Sequence, residues 1–274
     1  MTFDKRLTPA RLDVAAAHLK GKVEAVRFVS GETFRVKRGR VSLRAKPSDE
    51  AAQETELLFG EMFTVYENKN GWAWGQLAPD DYVGYVRAEA LTAPGETNAR
   101  VSALMTPLLS APDVKAPALD MLPLNARVAV TKRENGFAEL SGGGFIADVH
   151  LDKAASDWVA VVEKFIGVPY VWGGKTFAGL DCSGLIQTAR HAAGLKCPRD
   201  TDMQLAALGE AVSEAPRRGD LVFWKGHVGV MLDATRLLHA NAFHNEVAIE
   251  AFSEAKARIA SAGFEVLVIK REAT

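Results

Sequence analysis

The sequence predicts two copies of a small strand-built unit followed by an α+β domain. Three observations lead there. An internal repeat runs through roughly residues 37–152; helical patterning after Lys153 gives way to strand patterning from Gly219 onward; and the composition is that of an ordinary globular chain, with 48% hydrophobic and 24% charged residues. At 274 residues the chain exceeds the roughly 100–200 usual for one domain.

The N-terminal part, residues 1–36, begins with Thr8-Pro9, a helix-cap residue followed by proline, and Gly21 offers a stop. The spacing predicts a short helical arm over 9–20, with Leu12, Ala16 and Leu19 on one face. Val23 to Phe28 and Thr33 to Val36 read as lead-in strands.

In the repeat, Pro47 and Pro112 lie 65 residues apart, as do Gly60 and Asn125, Val65 and Val130, and Asn70-Gly71 and Asn135-Gly136. Past the loop at Ala78-Pro79-Asp80-Asp81 the offset falls to 60, pairing Gly84 with Gly144 and Tyr85 with Phe145. Asn-Gly between β-prone runs is a strong hairpin signal. About sixty residues of short strands per copy predicts a small SH3-like barrel, over 37–93 and again over 97–152, joined by Ala93-Pro94-Gly95-Glu96. The second copy is degraded, with Pro107, Pro112, Pro117 and Pro123 crowding its first half.

The third domain, 153–274, opens with a helix over Ser156 to Ile166. A glycine-rich loop around Gly173-Gly174 and Gly179 leads to Asp181-Cys182-Ser183-Gly184, where a second helix starts and runs to Gly194. Thr201 to Gly209 reads as a third. Strands follow at Asp220 to Trp224, His227 to Asp233, Arg236 to His239, Val247 to Ala251 and Val266 to Lys270.

Cys182 thus stands at a helix N-terminus, where unpaired N–H groups and the dipole favour a thiolate. On its own it is either a nucleophile or a buried small residue. A nucleophilic thiol needs a base and a group that orients the base. His227 begins one strand and His239 ends the next, and a short turn at Asp233-Ala234-Thr235 would set them side by side. His18, His150 and His191 read as ordinary polar residues, and His244 as a weaker candidate for substrate contact. Zinc is the other reading of Cys with His, but the close paired spacings of common zinc motifs are missing, so no metal and no cofactor is expected.

The formal net charge of -1 argues against a surface built for nucleic acid or anionic membranes. No run approaches the roughly 18 apolar residues of a membrane span. The N-terminus shows no export signal, since Asp4, Arg11 and Asp13 interrupt it and Val14 to Ala17 is too short for an apolar core. Two cysteines form no disulfide framework. A cytoplasmic monomer is the expectation.

Gly167 to Ile186 resembles the signature of the NlpC/P60 family of papain-like cysteine peptidases, G-x-P-Y-x-W-G-G followed by G-x-D-C-S-G. Arg218-Gly219-Asp220-Leu221-Val222-Phe223, His227-Val228-Gly229-Val230 and Leu238-His239-Ala240 resemble its later blocks, in order. Arg44-Ala45-Lys46-Pro47 and Tyr82-Val83-Gly84-Tyr85-Val86 look like the start and end of a bacterial SH3 (SH3b) domain. The resemblance implies Cys182 as nucleophile, His227 as general base, His239 as the orienting residue, Tyr170 near the oxyanion site and Trp172 walling the groove. It also implies cleavage of murein stem peptides between γ-D-glutamate and the following diamino acid, diaminopimelate or lysine, in cell-wall peptide recycling. In relatives of this architecture a free N-terminal L-alanine is held by residues at the positions of Ser183 and Asp200, joined by a tyrosine of the first SH3b domain. Tyr82 is the choice here, with Tyr85 and Tyr66 as substitutes and barrel packing as the other role for each. Two further readings stay open: a papain-like amidase or acyltransferase on another amide or ester, and a wall-binding protein with an inert catalytic domain.

Overall fold

The computed structural model describes residues 3–272. The chain divides between Lys153 and Ala154 into two compact units.

The first unit is built from strands. A seven-stranded antiparallel sheet runs in the order Gln53–Leu58, Arg40–Arg44, Val83–Arg87, Trp72–Leu77, Met62–Lys69, Glu32–Val36 and Leu91–Thr92. Alternation along Met62–Lys69 and Val83–Arg87 sends every second side chain inward. Val36, Leu43, Leu57, Phe63, Leu77, Tyr82 and Val86 make the resulting core. A five-stranded sheet follows, in the order Ala118–Pro123, Met105–Leu109, Phe145–Ala147, Phe137–Leu140 and Val130–Glu134. It closes on its own core of Val101, Leu122, Ala126, Val128, Ala138, Ile146 and Leu151.

Repeated residues adopt the same backbone. Asn70 and Asn135 have φ of 52° and 51°, and the glycines after them 79° and 80°. That pair of left-handed residues is what a tight hairpin turn requires. Gly60 and Asn125 are also left-handed, at 79° and 74°. In both stretches the hairpin leads into one more strand and then a 3-10 turn, Ala88–Ala90 and Asp148–His150.

The helical arm expected over 9–20 does not form. Val14–Ala16 is extended and pairs in parallel with Arg27–Val29, and Ala17–Leu19 is a single 3-10 turn. Val14, Ala15 and Ala16 are all fully buried while Leu12 is 82% exposed. A helix would bury only one face of such a run, whereas an extended strand covered on both sides buries consecutive residues. Tertiary packing overrides the helix propensity of the alanines.

In the second unit a six-stranded antiparallel sheet runs Glu210–Ala211, Val268–Arg271, Leu221–Trp224, His227–Met231, Arg236–Asn241 and Glu246–Ala251. Helix α1 spans Trp158–Glu163, shorter than the expected 156–166, and Asp157 caps it by accepting from the Val159 N–H. Helix α2, Cys182–Ala192, packs on α1 and on the strands His227–Met231 and Arg236–Asn241. Every residue of α2 but His191 is buried, so it is a core helix rather than an amphipathic one. Burying Leu185 and Ile186 contributes about 1.5–3 kcal/mol each. Helix α3 spans Thr201–Ala207. A fourth, α4 at Phe252–Ser261, was not expected from the sequence: it buries only Ala255 and its first residue follows Ala251, which provides no side-chain cap. No helix among the described residues is long and apolar enough to cross a membrane.

Candidate active site

The start of α2 is fixed by the carboxylate of Asp181. One oxygen accepts from the Gly184 N–H at 2.6 Å, capping the helix; the other accepts from Gly173 N–H at 2.9 Å, tying the glycine loop to it. Arg199 donates to both oxygens, at 2.9 and 2.7 Å, and to the Ser183 hydroxyl at 3.0 Å. That hydroxyl in turn donates to Asp181 at 3.3 Å. The Arg199 side chain is 1% exposed and that of Asp181 10%, so this is a buried, bidentate ion pair. Gly184 is needed for the fit: a Cβ there would come within 2.1 Å of the Gly174 carbonyl oxygen.

Cys182 is therefore held at the first turn of α2, against the sheet. Its sulfur lies 3.7 Å from the Thr201 hydroxyl, and the backbone N–H groups of Val228 and Ser183 face it. The helix terminus was expected to favour a thiolate. Burial, followed by the negative charge of Asp181, outweighs it and pushes the thiol up to about 11.

His227 and His239 meet on the sheet. Val230 pairs with Leu238 and Met231 with Leu237, and continuing that register sets His239 opposite Gly229. His227 is thus the diagonal neighbour on the same face rather than the residue directly across. Gly229 makes the approach possible, since a Cβ there would sit 2.8 Å from Leu237 and 3.1 Å from His239. His227 Nε2 lies 2.8 Å from His239 Nδ1. His239 Nε2 lies 2.7 Å from the carboxylate Oε1 of Glu250, which is also paired with Arg258. The Trp224 ring covers His227, with centroids 5.6 Å apart. Burial, then the neighbouring His239, brings His227 down to about 3, and burial also lowers His239. Near neutral pH both rings are uncharged.

Tyr170 enters the site on a backbone tied to Asn245 at 2.8 Å. Burial and the nearby Cys182 and Asp181 raise its phenol, so it stays protonated and able to donate. Trp172 stands out from the loop, 65% exposed. Together these groups form a thiol, an imidazole relay and a donor: the parts needed for nucleophilic attack on a carbonyl carbon.

Residues 167–261 match the NlpC/P60 family, and residues 43–91 match the bacterial dipeptidyl-peptidase Sh3 domain. The second unit is an NlpC/P60 peptidase domain. Among curated relatives, the chain is 28% identical over 223 residues to the gamma-D-glutamyl-L-lysine dipeptidyl-peptidase of Bacillus cereus, covering 68% of this chain and 67% of that protein. It is 28% identical over 218 residues to the enzyme of the same name from Bacillus subtilis, covering 68% and 72%. Similarity to dipeptidyl-peptidase 6 of Lysinibacillus sphaericus is 36% over 92 residues, and spans only 34% of that protein. An NlpC/P60 family protein of known structure from Bacillus cereus superimposes with a TM-score of 0.75 at 19% identity, over 88% of this chain and 99% of that one, a likeness of fold.

Around the NlpC/P60 site the structure adds residues that the sequence did not single out. Arg199, Thr201, Trp224, Glu250 and Arg258 carry no motif of their own; only their partners reveal them. Asp200 is half-buried at the N-terminus of α3, next to Arg199. Ser183, 6% exposed, has its hydroxyl engaged by Asp181 and Arg199. Tyr82 belongs to the apolar core of the seven-stranded sheet, the packing role its position also allowed, while Tyr85 and Tyr66 are half-buried and Tyr85 accepts a hydrogen bond from Arg11. Cys197 is buried too, and that burial pushes its thiol up to about 12. His244 is exposed, with Nδ1 3.0 Å from Asn241 Oδ1. His239, His244 and Glu250 bring one ligand atom each within 4.8 Å of one another. The Arg258 guanidinium on the same carboxylate opposes a second cation there.

Proposed function

We propose that this peptidase cleaves the bond between γ-D-glutamate and the following diamino acid, diaminopimelate or lysine, in murein peptides. The observation that carries the reading is the hydrogen-bonded line from His227 through His239 to Glu250 beside a buried cysteine at a helix N-terminus. Support for the bond cleaved comes from similarity to the two Bacillus gamma-D-glutamyl-L-lysine dipeptidyl-peptidases, which extends over 68% of this chain in each case.

The chemistry follows from the resting state. Cys182 is a thiol and His227 a neutral imidazole, so attack and proton transfer are coupled: sulfur bonds to the carbonyl carbon as its proton passes to His227. The Tyr170 hydroxyl and the N-terminal N–H groups of α2 stabilise the oxyanion. Collapse breaks the C–N bond, and the imidazolium gives its proton to the departing amine. Water, deprotonated by His227, then splits the thioester, leaving the γ-carboxylate and the free thiol.

Ser183 and Asp200 hold the amino end of the peptide in this reading. A carboxylate that pairs with an ammonium group selects peptides with a free L-alanine over glycan-linked stems. Residues 97–152 serve as a second, degraded SH3-like copy, supported by the matching left-handed turns. The reading includes a role in recycling murein peptides in the cytoplasm, supported by two free thiols suited to a reducing compartment. Digesting L-Ala-γ-D-Glu-diaminopimelate and its lysine counterpart tests it, with mass analysis of the products: release of L-Ala-D-Glu is expected from the free peptides and much less from N-acetylated ones. Cleavage at another bond would overturn the assignment, and equal rates for the acetylated peptide would remove the amine pocket.

A further inference from the structure

We propose that Glu250 is a positioning residue that sets the tautomers of His239 and His227, so that Nδ1 of His227 is the atom that receives the Cys182 proton. This deepens the function proposed above and rests on it.

The donors and acceptors of each ring fix the direction of the line. Burial raises the Glu250 carboxyl, but the His239 hydrogen bond and the charge of Arg258 hold it below the ordinary carboxylate range. An ionised carboxylate only accepts, so the proton in the 2.7 Å contact belongs to His239 Nε2. A neutral imidazole carries one N–H, which leaves His239 Nδ1 as an acceptor. The 2.8 Å contact between the rings is then donated by His227 Nε2. His227 is neutral as well, so its Nδ1 is bare. One carboxylate at the far end of the line thereby fixes which nitrogen of a ring two residues away is basic.

Arg258 supports this from α4. Its guanidinium donates to the same Glu250 oxygen, Oε1, that meets His239 Nε2, and lies over the Phe243 ring, 4.1 Å from the centroid, so that one oxygen accepts from both. His244 is the other titratable group facing the pair. Glu250 reaches His227 through His239.

Glu250→Leu removes the acceptor at similar volume. Nothing then holds the proton on His239 Nε2, and the Nδ1–H tautomer of His239 gains population. Wherever His239 Nδ1 donates, His227 Nε2 must accept, its proton sits on Nδ1, and the base is blocked. The test is long-range ¹H–¹⁵N NMR of the full chain labelled at histidine, with the two rings assigned from His227→Gln and His239→Gln spectra. Wild type is expected to show Nε2–H, with bare Nδ1, on both rings. Glu250→Leu is expected to populate Nδ1–H forms on both rings and to lower kcat at least threefold with KM changed less than twofold. Glu250→Asp keeps an ionised acceptor and is expected to restore the wild-type tautomers and most of the kcat. A wild-type spectrum with Nδ1–H on His227 would overturn the proposal even if no variant folded. So would a folded Glu250→Leu protein with unchanged tautomers. The tautomer measurement needs no substrate, so it stands apart from failure of the peptide assay.

Discussion

Replacing Arg199 with methionine tests how the nucleophile is held. Arg199 is 1% exposed and gives both Asp181 oxygens, and the Ser183 hydroxyl, a charged donor. Methionine fills most of the volume but leaves the Asp181 carboxylate buried with no countercharge. Removing one partner of a buried pair typically costs about 3–5 kcal/mol. Asp181 keeps the Gly173 and Gly184 N–H groups as donors, which places the expected loss near the lower end, about 3 kcal/mol. Urea unfolding of Arg199→Met followed by tryptophan fluorescence measures it, provided the slope is unchanged. Adding Asp181→Asn removes the stranded charge and should recover at least about 1 kcal/mol of that loss, a coupling within the usual range for contacting residues. A loss under about 1 kcal/mol for the single variant, with an unchanged slope, would refute the view that this pair anchors the α2 terminus.

Two further outcomes follow from the buried thiol and imidazole. With Cys182 pushed up to about 11, its thiolate fraction at neutral pH is on the order of one in ten thousand. Alkylation of the Cys182 peptide by iodoacetamide should therefore accelerate about tenfold per pH unit between pH 7 and 10; a plateau from pH 6 upward would instead reveal a resting thiolate–imidazolium pair. His227 titrates near 3 in the folded chain against 6.5 ordinarily, so between those values the unfolded chain binds the extra proton and stability falls as pH drops. Each such group contributes up to about 1.4 kcal/mol per pH unit in that window and nothing above it. His227→Gln should flatten the acid limb of the stability curve by roughly that slope, and superimposable limbs would contradict the burial of a neutral ring.

Local chemistry made much of the site legible. Asp181 before an apolar helical run and Gly194 after it are cap signals, and α2 starts and stops there. Asn70-Gly71 and Asn135-Gly136 announce hairpins because few other pairs take two left-handed residues in a row. The strands bearing His227 and His239 could be read from alternation and turns, although their diagonal register depends on Gly229 and could not. The failures share a cause. Val14–Ala16 has the composition of a helix and becomes a strand because its surroundings cover both faces. Glu250 lies eleven residues after His239 and reaches it only once the Arg236–Asn241 and Glu246–Ala251 strands pair. Arg199 is one basic residue among many until burial sets it against the Asp181 carboxylate. The rise of the Cys182 thiol is likewise a property of packing, which no spacing reports.

The most direct measurement of the central claim is the cut bond itself. Wild type and Cys182→Ala are each incubated with L-Ala-γ-D-Glu-diaminopimelate and its lysine counterpart, and the products weighed by mass spectrometry. Wild type is predicted to release L-Ala-D-Glu and the free diamino acid, and Cys182→Ala to release neither. Undiminished cleavage by Cys182→Ala, or intact peptide after incubation with wild type, would contradict the account.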